Sequence, residues 1–418
     1  MPAAQDPSSL PPWLWPRAAY LHIPFCAHHC GYCDFAIATG QDHLIELYVD
    51  ALAAELTSLG QPVPVGTLFF GGGTPSHLSA AQLERLLLAV RQWLPLEKGG
   101  EFSVEANPDS LTADKVAVLA DHGVTRISLG AQSFHPALLR VLERAHGPDE
   151  VPRAVERVRQ RIAQVSLDLI FGVPGQTMDQ WRSDLARALA LGPEHVSTYG
   201  LTYEKGTPLW KQRQRGLLRP LEEAMELTLY STAIDTLEAA GFEHYEISNF
   251  ARAGCRCRHN EVYWANEAYF GFGMGAARYV LGRRELNTRD LRGYIRRALA
   301  GESAMFQAEE LTPEERARET MALQLRRADG IDRDSFRNQT GFALDEVAGN
   351  KKDARATPSE PGALATGRRF PVAHAPGSER GFQLAWLVEQ GLLQDDGRRV
   401  RLTRQGKYVA DGVIERLL

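Results

Sequence analysis

Three cysteines near the amino terminus have a spacing that suits metal binding. Cys26, Cys30 and Cys33 fall within eight residues, directly after a short run that is typical of a β-strand. Pro24 interrupts regular strand pairing and Gly31 permits a tight loop, so the three thiolates can converge on one centre. Three ligands rather than four leave one coordination position open, as in an iron–sulfur cluster with one unligated iron. The spacing therefore indicates a 4Fe–4S cluster whose open iron can take a substrate.

A zinc site is the alternative reading of the same cysteines, and at the level of the residues it stays open. A fourth zinc ligand could come from His22, His28 or His29, or from the distant Cys255 or Cys257. Such a chain would be a zinc-stabilised, non-redox interaction protein. The chain has five cysteines, too few and too clustered for a disulfide framework, so we expect a reducing compartment. For the second, isolated pair we expect ordinary loop thiols.

The composition is that of a soluble protein with room for one large and one smaller domain. Of the 418 residues, 44% are apolar and 24% are charged, which suffices for a core without disulfides. The formal charge of −5 offers no basic field for a phosphate backbone, so no nucleic-acid partner is expected. The N-terminal residues lack the features of a signal peptide, and no run approaches about 18 uninterrupted apolar residues. We therefore expect a cytoplasmic protein without a membrane-spanning segment.

These side chains need a scaffold, and the sequence from about residue 18 to about 250 predicts repeated βα units. Short β-rich runs alternate with stretches of helical period, which is typical of a parallel sheet. The seven predicted strands are Ala19 to Ile23, Gly66 to Phe70, Glu101 to Glu105, Thr125 to Leu129, Val165 to Ile170, His195 to Leu201 and His244 to Ser248. Capping boxes at Ser79 and Thr177 predict helices directly after two glycine-containing loops. In a barrel of parallel strands, such loops lie at the C-terminal rim, where ligands bind.

The domain organisation follows from composition and pattern. The expected units are an N-terminal extension at 1–16, a barrel that carries the site at 17–300 and a C-terminal domain at 301–418. Within the last unit, about 340–380 is rich in Pro, Gly, Ala, Ser and charge, which predicts a flexible insertion. Thr312 to Arg327 and Phe382 to Gln390 predict helices, and Val400 to Leu402 predicts a strand before a final helix. Together they indicate a small α+β domain, similar to a winged helix, which by itself implies no DNA binding.

Several motifs occur in the order found in one known family. The loop from Tyr20 to Phe35 resembles the cluster loop of radical-SAM (S-adenosylmethionine) enzymes. Further matching motifs are Phe69 to Pro75, Ser103 to Pro108, Gly130 to Phe134, Leu167 to Thr177 and His259 to Trp264. The resemblance covers about Tyr20 to Tyr279. It is strongest with the branch that contains oxygen-independent coproporphyrinogen III oxidases of the HemN type and heme chaperones of the HemW type.

The resemblance implies a partial (β/α)6 barrel of the radical-SAM type, with SAM chelating the open iron of the cluster. The resemblance implies SAM contacts at Tyr20, Tyr32, Gly72, Gly73, Thr74 and Arg144. Glu105, Gln132 and Asp168 fall at or near the C-terminal ends of predicted strands, so their side chains could reach the same site. Carboxylates and an amide can bind an ammonium group or ribose hydroxyls, and a guanidinium can pair with a carboxylate. Glycines without Cβ leave backbone N–H groups open to a ligand. The structural alternatives are a simple tight turn for the glycine loop, a solvated helix charge for Arg144 and apolar filling for the tyrosines.

Two details favour the HemW subfamily over the oxidases. Where HemN-type oxidases carry a further cysteine two residues after the third, this chain has Phe35, and its His259-Asn260-x2-Tyr263-Trp264 motif resembles the chaperones. The resemblance then implies heme binding and delivery to heme-accepting proteins such as respiratory-chain cytochromes. Oxidative decarboxylation of coproporphyrinogen III in porphyrin biosynthesis is the alternative. His259 is the heme-ligand candidate, although it could instead donate to a backbone carbonyl in a packed loop. Whether the chain is an enzyme, and whether it forms a homodimer, stays open.

Overall fold

The computed structural model describes residues 9–348 and 382–418. Its strands are Ala18–Ile23 (β1), Phe25–Cys26 (β2), Ala38–Thr39 (β3), Val65–Gly72 (β4), Leu96–Ala106 (β5), Arg126–Gln132 (β6), Gln164–Phe171 (β7), His195–Gly200 (β8), Glu243–His244 (β9), Asn249–Ala251 (β10), Phe270–Phe272 (β11), Ala277–Val280 (β12), Arg283–Asn287 (β13), Met305–Glu310 (β14), Ile331–Asp332 (β15), Leu393–Asp395 (β16) and Arg399–Leu402 (β17). Its α-helices are Ile45–Leu56 (α1), Ala80–Trp93 (α2), Ala113–Asp121 (α3), Pro136–Val141 (α4), Glu150–Arg159 (α5), Met178–Ala190 (α6), Pro208–Gln214 (α7), Glu223–Ala239 (α8), Arg258–Trp264 (α9), Leu291–Leu299 (α10), Pro313–Leu325 (α11), Arg333–Thr340 (α12), Leu344–Val347 (α13), Phe382–Glu389 (α14), Arg404–Tyr408 (α15) and Ala410–Leu417 (α16).

The central element of the described residues is a nine-stranded sheet with the order β11-β1-β4-β5-β6-β7-β8-β10-β9. The strands from β11 to β8 pair in parallel, and β1 and β4 to β8 correspond to the first six predicted runs. Helices connect the parallel strands, which confirms the predicted α/β fold with a parallel, barrel-like sheet. The three residues of β11 escape sequence prediction because so short a run has no measurable periodicity.

The seventh predicted strand, His244 to Ser248, is wrong in extent and direction. Only Glu243–His244 is a strand there, and β10 follows antiparallel to both β9 and β8. The buried Glu246 carboxylate accepts hydrogen bonds from the Ser248 backbone and the Asn249 side chain, which fixes the turn between the strands. All of these residues except Glu243 are buried, so hydrophobic pattern alone could not separate a turn from a strand.

The two faces of the parallel strands carry different side chains. Leu68, Val104 and Leu129 belong to the main hydrophobic core on the helix-covered face. The inner face carries polar and aromatic residues that strand register aligns, among them Tyr20, Phe69, Ser103, Ser128, Ser166 and Ser197. The outer face therefore holds the fold together, and the inner face is left for polar function.

Both predicted capping boxes are confirmed. Ser79 and Thr177 accept from the backbone N–H groups of Gln82 and Gln180, whose side chains accept from the cap N–H groups in return. These caps begin α2 and α6 behind the loops that follow β4 and β7. Both loops consequently lie at the C-terminal rim of the sheet.

The C-terminal part contains a three-stranded antiparallel sheet, β15-β17-β16, together with α11, α12, α14 and α16. The predicted helices and strand are present as α11, α14 and β17, which gives the expected winged-helix-like α+β arrangement. A further sheet, β12-β13-β14, escapes the sequence analysis. The predicted insertion at about 340–380 starts where α12 ends and includes α13. The remainder of this range, from residue 349, lies outside the described residues. Among the described helices, none combines the length and apolarity that a membrane crossing requires.

Candidate functional site

The cysteine loop leaves the sheet at the C-terminal end of β1 and is held at Gly31. Cys26 lies in β2, which pairs with β3, and the other two cysteines are half-buried in the following loop. The Gly31 N–H donates to the Leu142 carbonyl at 3.2 Å, and its carbonyl accepts from the Leu209 N–H at 2.9 Å. A Cβ at position 31 would lie 3.1 Å from Leu209 Cγ, so glycine serves close packing there.

All three cysteines of this loop are free thiols. Burial is the main cause that raises the pKa of Cys26 to about 11 and that of Cys33 to about 12. Such thiols become thiolates at neutral pH only beside a strong positive charge, such as a metal centre. Within the described ranges, no three Cys, His, Asp or Glu side chains surround a single metal ion. In a cluster of four irons each thiolate binds a different iron, so three cysteines can hold a cluster without surrounding a single ion.

A chain of hydrogen bonds connects two of the cysteines through polar side chains from neighbouring strands. The hydroxyl of Thr74, after β4, contacts Cys26 Sγ at 3.3 Å. The Asn107 amide, directly after β5, donates to that hydroxyl at 3.3 Å and accepts from Arg144 Nη2 at 2.7 Å. Arg144 Nη1 in turn donates to Cys30 Sγ at 3.4 Å. Both sulfur atoms are thus held by one network, and hydrogen bonds to ligand sulfurs are a known means of tuning iron–sulfur clusters.

The glycine loop after β4 packs directly against the protein. A Cβ on Gly72 would lie 2.4 Å from the His22 ring, and one on Gly73 would lie 2.5 Å from the Pro24 carbonyl oxygen. The Gly72 N–H donates to Glu105 at 3.1 Å, and the Gly73 N–H donates to the carbonyl of the last β1 residue at 2.8 Å. The expectation of open N–H groups is therefore wrong for these two residues. The missing Cβ atoms are needed for close contact between β1 and β4.

Two half-buried carboxylates, Glu105 and Asp168, lie on the inner face near the C-terminal ends of β5 and β7. Burial, followed by the charge of Asp168, raises the pKa of Glu105 to about 8. Burial also raises the pKa of Asp168 to about 6, although hydroxyls of Ser197 and Ser128 lower it, the latter from 3.0 Å. A nearby cation or hydroxyl donors would stabilise the ionised form of such carboxyl groups. An ammonium group or ribose hydroxyls would supply either.

Gln132 stands at the end of β6 in a strained conformation. Its φ is 61°, a region that residues with a Cβ rarely adopt. The side chain is buried over Gly130, and Oε1 has no hydrogen-bond partner among the described residues. Backbone strain together with an unsatisfied buried acceptor is typical of binding sites.

Arg144 is held in place rather than solvated, which overturns the helix-charge alternative. Besides its contacts with Asn107 and Cys30, Nη2 donates to the Gly130 carbonyl at 2.9 Å. Although burial lowers its pKa, the neighbouring Tyr32 and Cys30 hold the value above the ordinary one, so the group is a permanent cation. Its Nε has no partner within the described part of the chain. A carboxylate ligand would suit this cation.

The two candidate tyrosines shape the site in different ways. His22 Nε2 donates to the Ala36 carbonyl at 2.7 Å, so its Nδ1 accepts from the Tyr20 hydroxyl at 3.0 Å. Burial lowers the pKa of His22 to about 4, which keeps this tautomer neutral. Tyr32 packs against a small apolar cluster at the rim, and burial raises its pKa. Tyr32 therefore has the packing role that the sequence left open, whereas Tyr20 is oriented by its hydrogen bond to His22.

His259 lies in α9 against the N-terminal half of β4, and its side chain is 0% exposed. Nδ1 is hydrogen-bonded to the Thr67 hydroxyl at 2.9 Å and Nε2 to the Tyr263 hydroxyl at 2.9 Å, while the ring stacks on Phe69. Burial lowers its pKa to about 3. With both nitrogens engaged, the structure favours the packed-loop alternative over heme ligation.

The second cysteine pair also has structural partners. The buried Cys257 thiol donates to Glu101 Oε1 at 3.4 Å, and Glu101 forms a buried ion pair with Arg126 at 2.9 Å. Arg126 donates further to the Cys255 carbonyl at 2.9 Å. These contacts fit the expectation of ordinary loop thiols and give no support to a fourth metal ligand from this pair.

Comparisons with known proteins place this geometry in a family. Residues 20–188 match the Radical SAM superfamily, and residues 311–356 match the HemN C-terminal domain. The heme chaperone HemW of Lactococcus lactis is 36% identical over 406 residues, which cover 96% of this chain and 97% of the relative. The chain belongs to the HemW family. The HemW protein of Bacillus subtilis is likewise 36% identical, over 95% of this chain and 98% of its own.

The fold has a solved counterpart in a related enzyme. The coproporphyrinogen III oxidase HemN from Escherichia coli superposes with a TM-score of 0.78 over 98% of this chain and 92% of its own, at 20% identity. At this identity the likeness concerns the fold alone.

Sequence reasoning missed one residue that the structure places at the centre of the site. Asn107 joins Thr74 and Arg144, yet it was noted only as part of a motif. A signal was available, because an amide directly after a predicted strand, two residues beyond Glu105, must lie at the C-terminal rim.

Proposed function

We propose that this protein is a heme chaperone of the HemW type that binds a 4Fe–4S cluster and SAM and delivers heme to acceptor proteins. The observation that carries the proposal is the hydrogen-bonded chain from Cys26 through Thr74, Asn107 and Arg144 to Cys30. It holds two thiols and a half-buried cation at one end of the sheet, as a cluster and a carboxylate-bearing ligand require. The names of the relatives support the heme part.

The residues present fit both groups. Cys26, Cys30 and Cys33 would each hold one iron, and the remaining iron would be open to the amino and carboxylate groups of SAM. When bound, such a cluster supplies the electron that cleaves a sulfonium C–S bond, and this chemistry belongs to the cofactor.

The surrounding side chains would orient SAM. Arg144 would pair with the carboxylate, and Glu105 and Asp168 would accept hydrogen bonds from the ammonium group or ribose hydroxyls. The unsatisfied Oε1 of Gln132 would accept one more. The remaining proposed contacts are Tyr20, Tyr32 and Thr74, which would limit the access of water to the ligand. Gly72 and Gly73 contribute indirectly, because they let β1 and β4 approach closely beside these contacts.

Phe35 is the feature that favours a chaperone over an oxidase. It is half-buried two residues after Cys33, where the oxidases carry a further cysteine. Decarboxylation of coproporphyrinogen III is nevertheless the activity to exclude. Heme-accepting proteins such as respiratory-chain cytochromes, a cytoplasmic location and a homodimer complete the proposal.

The decisive experiment is anaerobic reconstitution with iron and sulfide, followed by two tests on the same sample. We expect cluster absorption, tight uptake of heme and no conversion of coproporphyrinogen III in the presence of SAM and a reductant. Transfer of the bound heme to an apo-cytochrome, followed by absorption spectroscopy, would complete the test. Formation of protoporphyrinogen would identify an oxidase instead, and metal analysis with zinc alone would support the interaction protein.

A further inference from the structure

The third cysteine of the loop has its hydrogen-bond donor in the main chain. Burial raises the pKa of Cys33 to about 12, and a hydrogen bond from the Phe35 backbone N–H lowers it. The other two sulfur atoms contact side chains instead, a hydroxyl in one case and a guanidinium in the other. The strength of the contact at Cys33 Sγ therefore depends on the state of one peptide group.

That peptide group is itself hydrogen-bonded on its other side. The Phe35 N–H and the Asp34 carbonyl belong to the same peptide group, and Arg289 Nη2 donates to the Asp34 carbonyl oxygen. A donor at the oxygen of a peptide group polarises it, which makes its N–H a stronger donor. Arg289 therefore acts on Cys33 Sγ through one intervening peptide group.

The backbone on both sides of Arg289 is fixed, so its side chain starts from a defined position. The Thr288 N–H donates to the Ala304 carbonyl, and the Thr288 carbonyl accepts from the Gly275 N–H, both at 2.9 Å. Asp290 is the N-cap of α10 and accepts from two backbone N–H groups of that helix. Since α10 packs against α1, this part of the chain is anchored to the barrel.

The stretch that follows the third cysteine is held at two carbonyls. Arg289 donates to that of Asp34, and the buried His22 donates from Nε2 to that of Ala36 at 2.7 Å. A Cβ on Gly275 would lie 2.6 Å from Ala36 Cβ and 3.6 Å from Arg289 Cγ, so glycine permits this close packing. The two donors together fix the orientation of the peptide group between residues 34 and 35.

Arg289 also brings a positive charge to the cysteine loop. It is exposed, and it forms no ion pair with a residue that the structure describes. Burial is the main cause of the low pKa of His22, and the Arg289 charge lowers that pKa further. An exposed charge alone contributes little, because water and salt screen it. The hydrogen bond to the peptide group is therefore the stronger of the two effects.

We propose that Arg289 is a positioning residue for Cys33 and tunes the reduction of the cluster from outside the parallel strands. A cluster gains negative charge on reduction, so a stronger N–H donor at a ligand sulfur favours the reduced form. Removal of the guanidinium should make the cluster harder to reduce. This inference rests on the proposed cluster binding and adds a residue that lies between the two matched domains.

The test is a redox titration of the reconstituted full-length protein without SAM, followed by electron paramagnetic resonance. Arg289→Met removes the donor and the charge but keeps a long side chain. At the wild-type midpoint potential, the ratio of reduced to oxidised cluster should be about fivefold lower in this variant. Arg289→Lys keeps a charged donor and should recover part of the loss. Arg296→Met, at an exposed arginine of α10, is the matched control and should leave the ratio unchanged.

A second measurement uses the metal-free protein, so it does not depend on the cluster. Amide hydrogen exchange, followed by mass spectrometry, should be severalfold faster in Arg289→Met for peptides that contain residues 34–36. Peptides from β4 should exchange as in the wild type. Thermal unfolding of each variant checks folding, which substitution of an exposed side chain should not disturb.

The outcomes separate this inference from the function on which it rests. A wild-type protein that assembles no 4Fe–4S cluster would refute the proposed function itself. A wild type that assembles the cluster, with an unchanged ratio in Arg289→Met, would overturn the role of Arg289 alone, even if residues 34–36 exchange faster. An equal loss in Arg296→Met would also overturn it, because the effect would then come from any nearby surface charge.

Discussion

Arg144 donates from Nη2 to the Oδ1 of Asn107 at 2.7 Å. This contact links the side chains that touch Cys30 and Cys26, since Asn107 also donates to Thr74. The amide is therefore a positioning residue for two sulfur atoms that lie on different parts of one loop. It can serve both because it is a donor and an acceptor at once.

Asn107→Ala should loosen this network. We expect the free energy of unfolding to fall by about 1 kcal/mol, because the Arg144 and Thr74 groups lose a half-buried partner. Iron content after reconstitution should fall, and the midpoint potential of the remaining cluster should shift, as measured by redox titration with electron paramagnetic resonance. Asn107→Asp keeps the acceptor for Arg144 and should recover part of the stability. Asn338→Ala, at an exposed amide, is the control; an unchanged potential in Asn107→Ala would argue for a purely structural role.

Single cysteine variants should show which cysteines bind the cluster, one in the cysteine loop and one in the second pair. Cys30→Ala should abolish cluster assembly, because the open iron site needs three thiolates. Cys255→Ala should leave assembly intact, since that residue lies outside the cysteine loop. Iron and sulfide analysis after anaerobic reconstitution measures both. An unaltered iron content in Cys30→Ala would refute the cluster assignment.

Gln132→Gly should stabilise the protein and weaken its binding of SAM. Glycine adopts the φ of 61° without strain, so the free energy of unfolding of the variant should be roughly 0.5–1 kcal/mol higher. The lost amide should weaken SAM binding to the reconstituted protein at least about fivefold, measured by calorimetry. Leu281→Gly is the matched control, because Leu281 has a φ of 53° and is 58% exposed. It should relieve strain without any change in SAM affinity; equal SAM affinity in both variants would exclude Gln132 from the SAM site.

The raised pKa of Glu105 makes stability depend on pH. The folded-state pKa of about 8 exceeds the ordinary 4.5, so the folded protein binds a proton that the unfolded chain has lost between these values. The free energy of unfolding therefore falls as the pH rises from about 4.5 to about 8. Glu105→Gln stays neutral and should raise the free energy of unfolding by about 4 kcal/mol at pH 8, with little effect at pH 4.5. Urea denaturation of the metal-free protein checks this, with the exposed Glu302→Gln as control. The same effect at both pH values would contradict a raised pKa.

His259→Phe tests the role of the buried histidine. The substitution keeps an aromatic ring beside Phe69 but removes the partners of the Thr67 and Tyr263 hydroxyls. We expect a loss of about 1–3 kcal/mol in the free energy of unfolding, with unchanged heme affinity of the folded protein. Thermal unfolding and heme titration measure the two effects. Lost heme binding at unchanged stability would restore His259 as the ligand.

The fold could be read from the sequence where both local pattern and motif agreed. Six parallel strands and two capping boxes are signalled by period, by flanking glycines and by residue type, all of which act over a few residues. The turn between β9 and β10 was not predicted, because Glu246 and its partners are polar groups that distant parts of the chain bury. Tertiary burial of this kind leaves no local trace.

The sequence predicted which side chains come near the cysteine loop better than it predicted their contacts. Residue type and position at a strand end indicated Glu105 and Asp168, and the family resemblance indicated Arg144. The glycine loop was misread, because the absence of a side chain does not tell whether a ligand or the protein itself approaches. The pairing of Asn107 with both Thr74 and Arg144 depends on loops from three strands meeting in space, which one sequence cannot specify.

The antiparallel pairing of β10 with β8 has a further consequence for how this scaffold can vary. The Thr198 N–H donates to the Ser248 carbonyl at 2.8 Å, so the last parallel strand is already occupied along the side where another βα unit would add. Insertions between residues 215 and 220, beyond the Leu209 contact that holds Gly31, can therefore change what the molecule presents to its surroundings without changing the number of parallel strands. We expect this short stretch to accept replacement as a cassette that leaves the cysteine loop undisturbed.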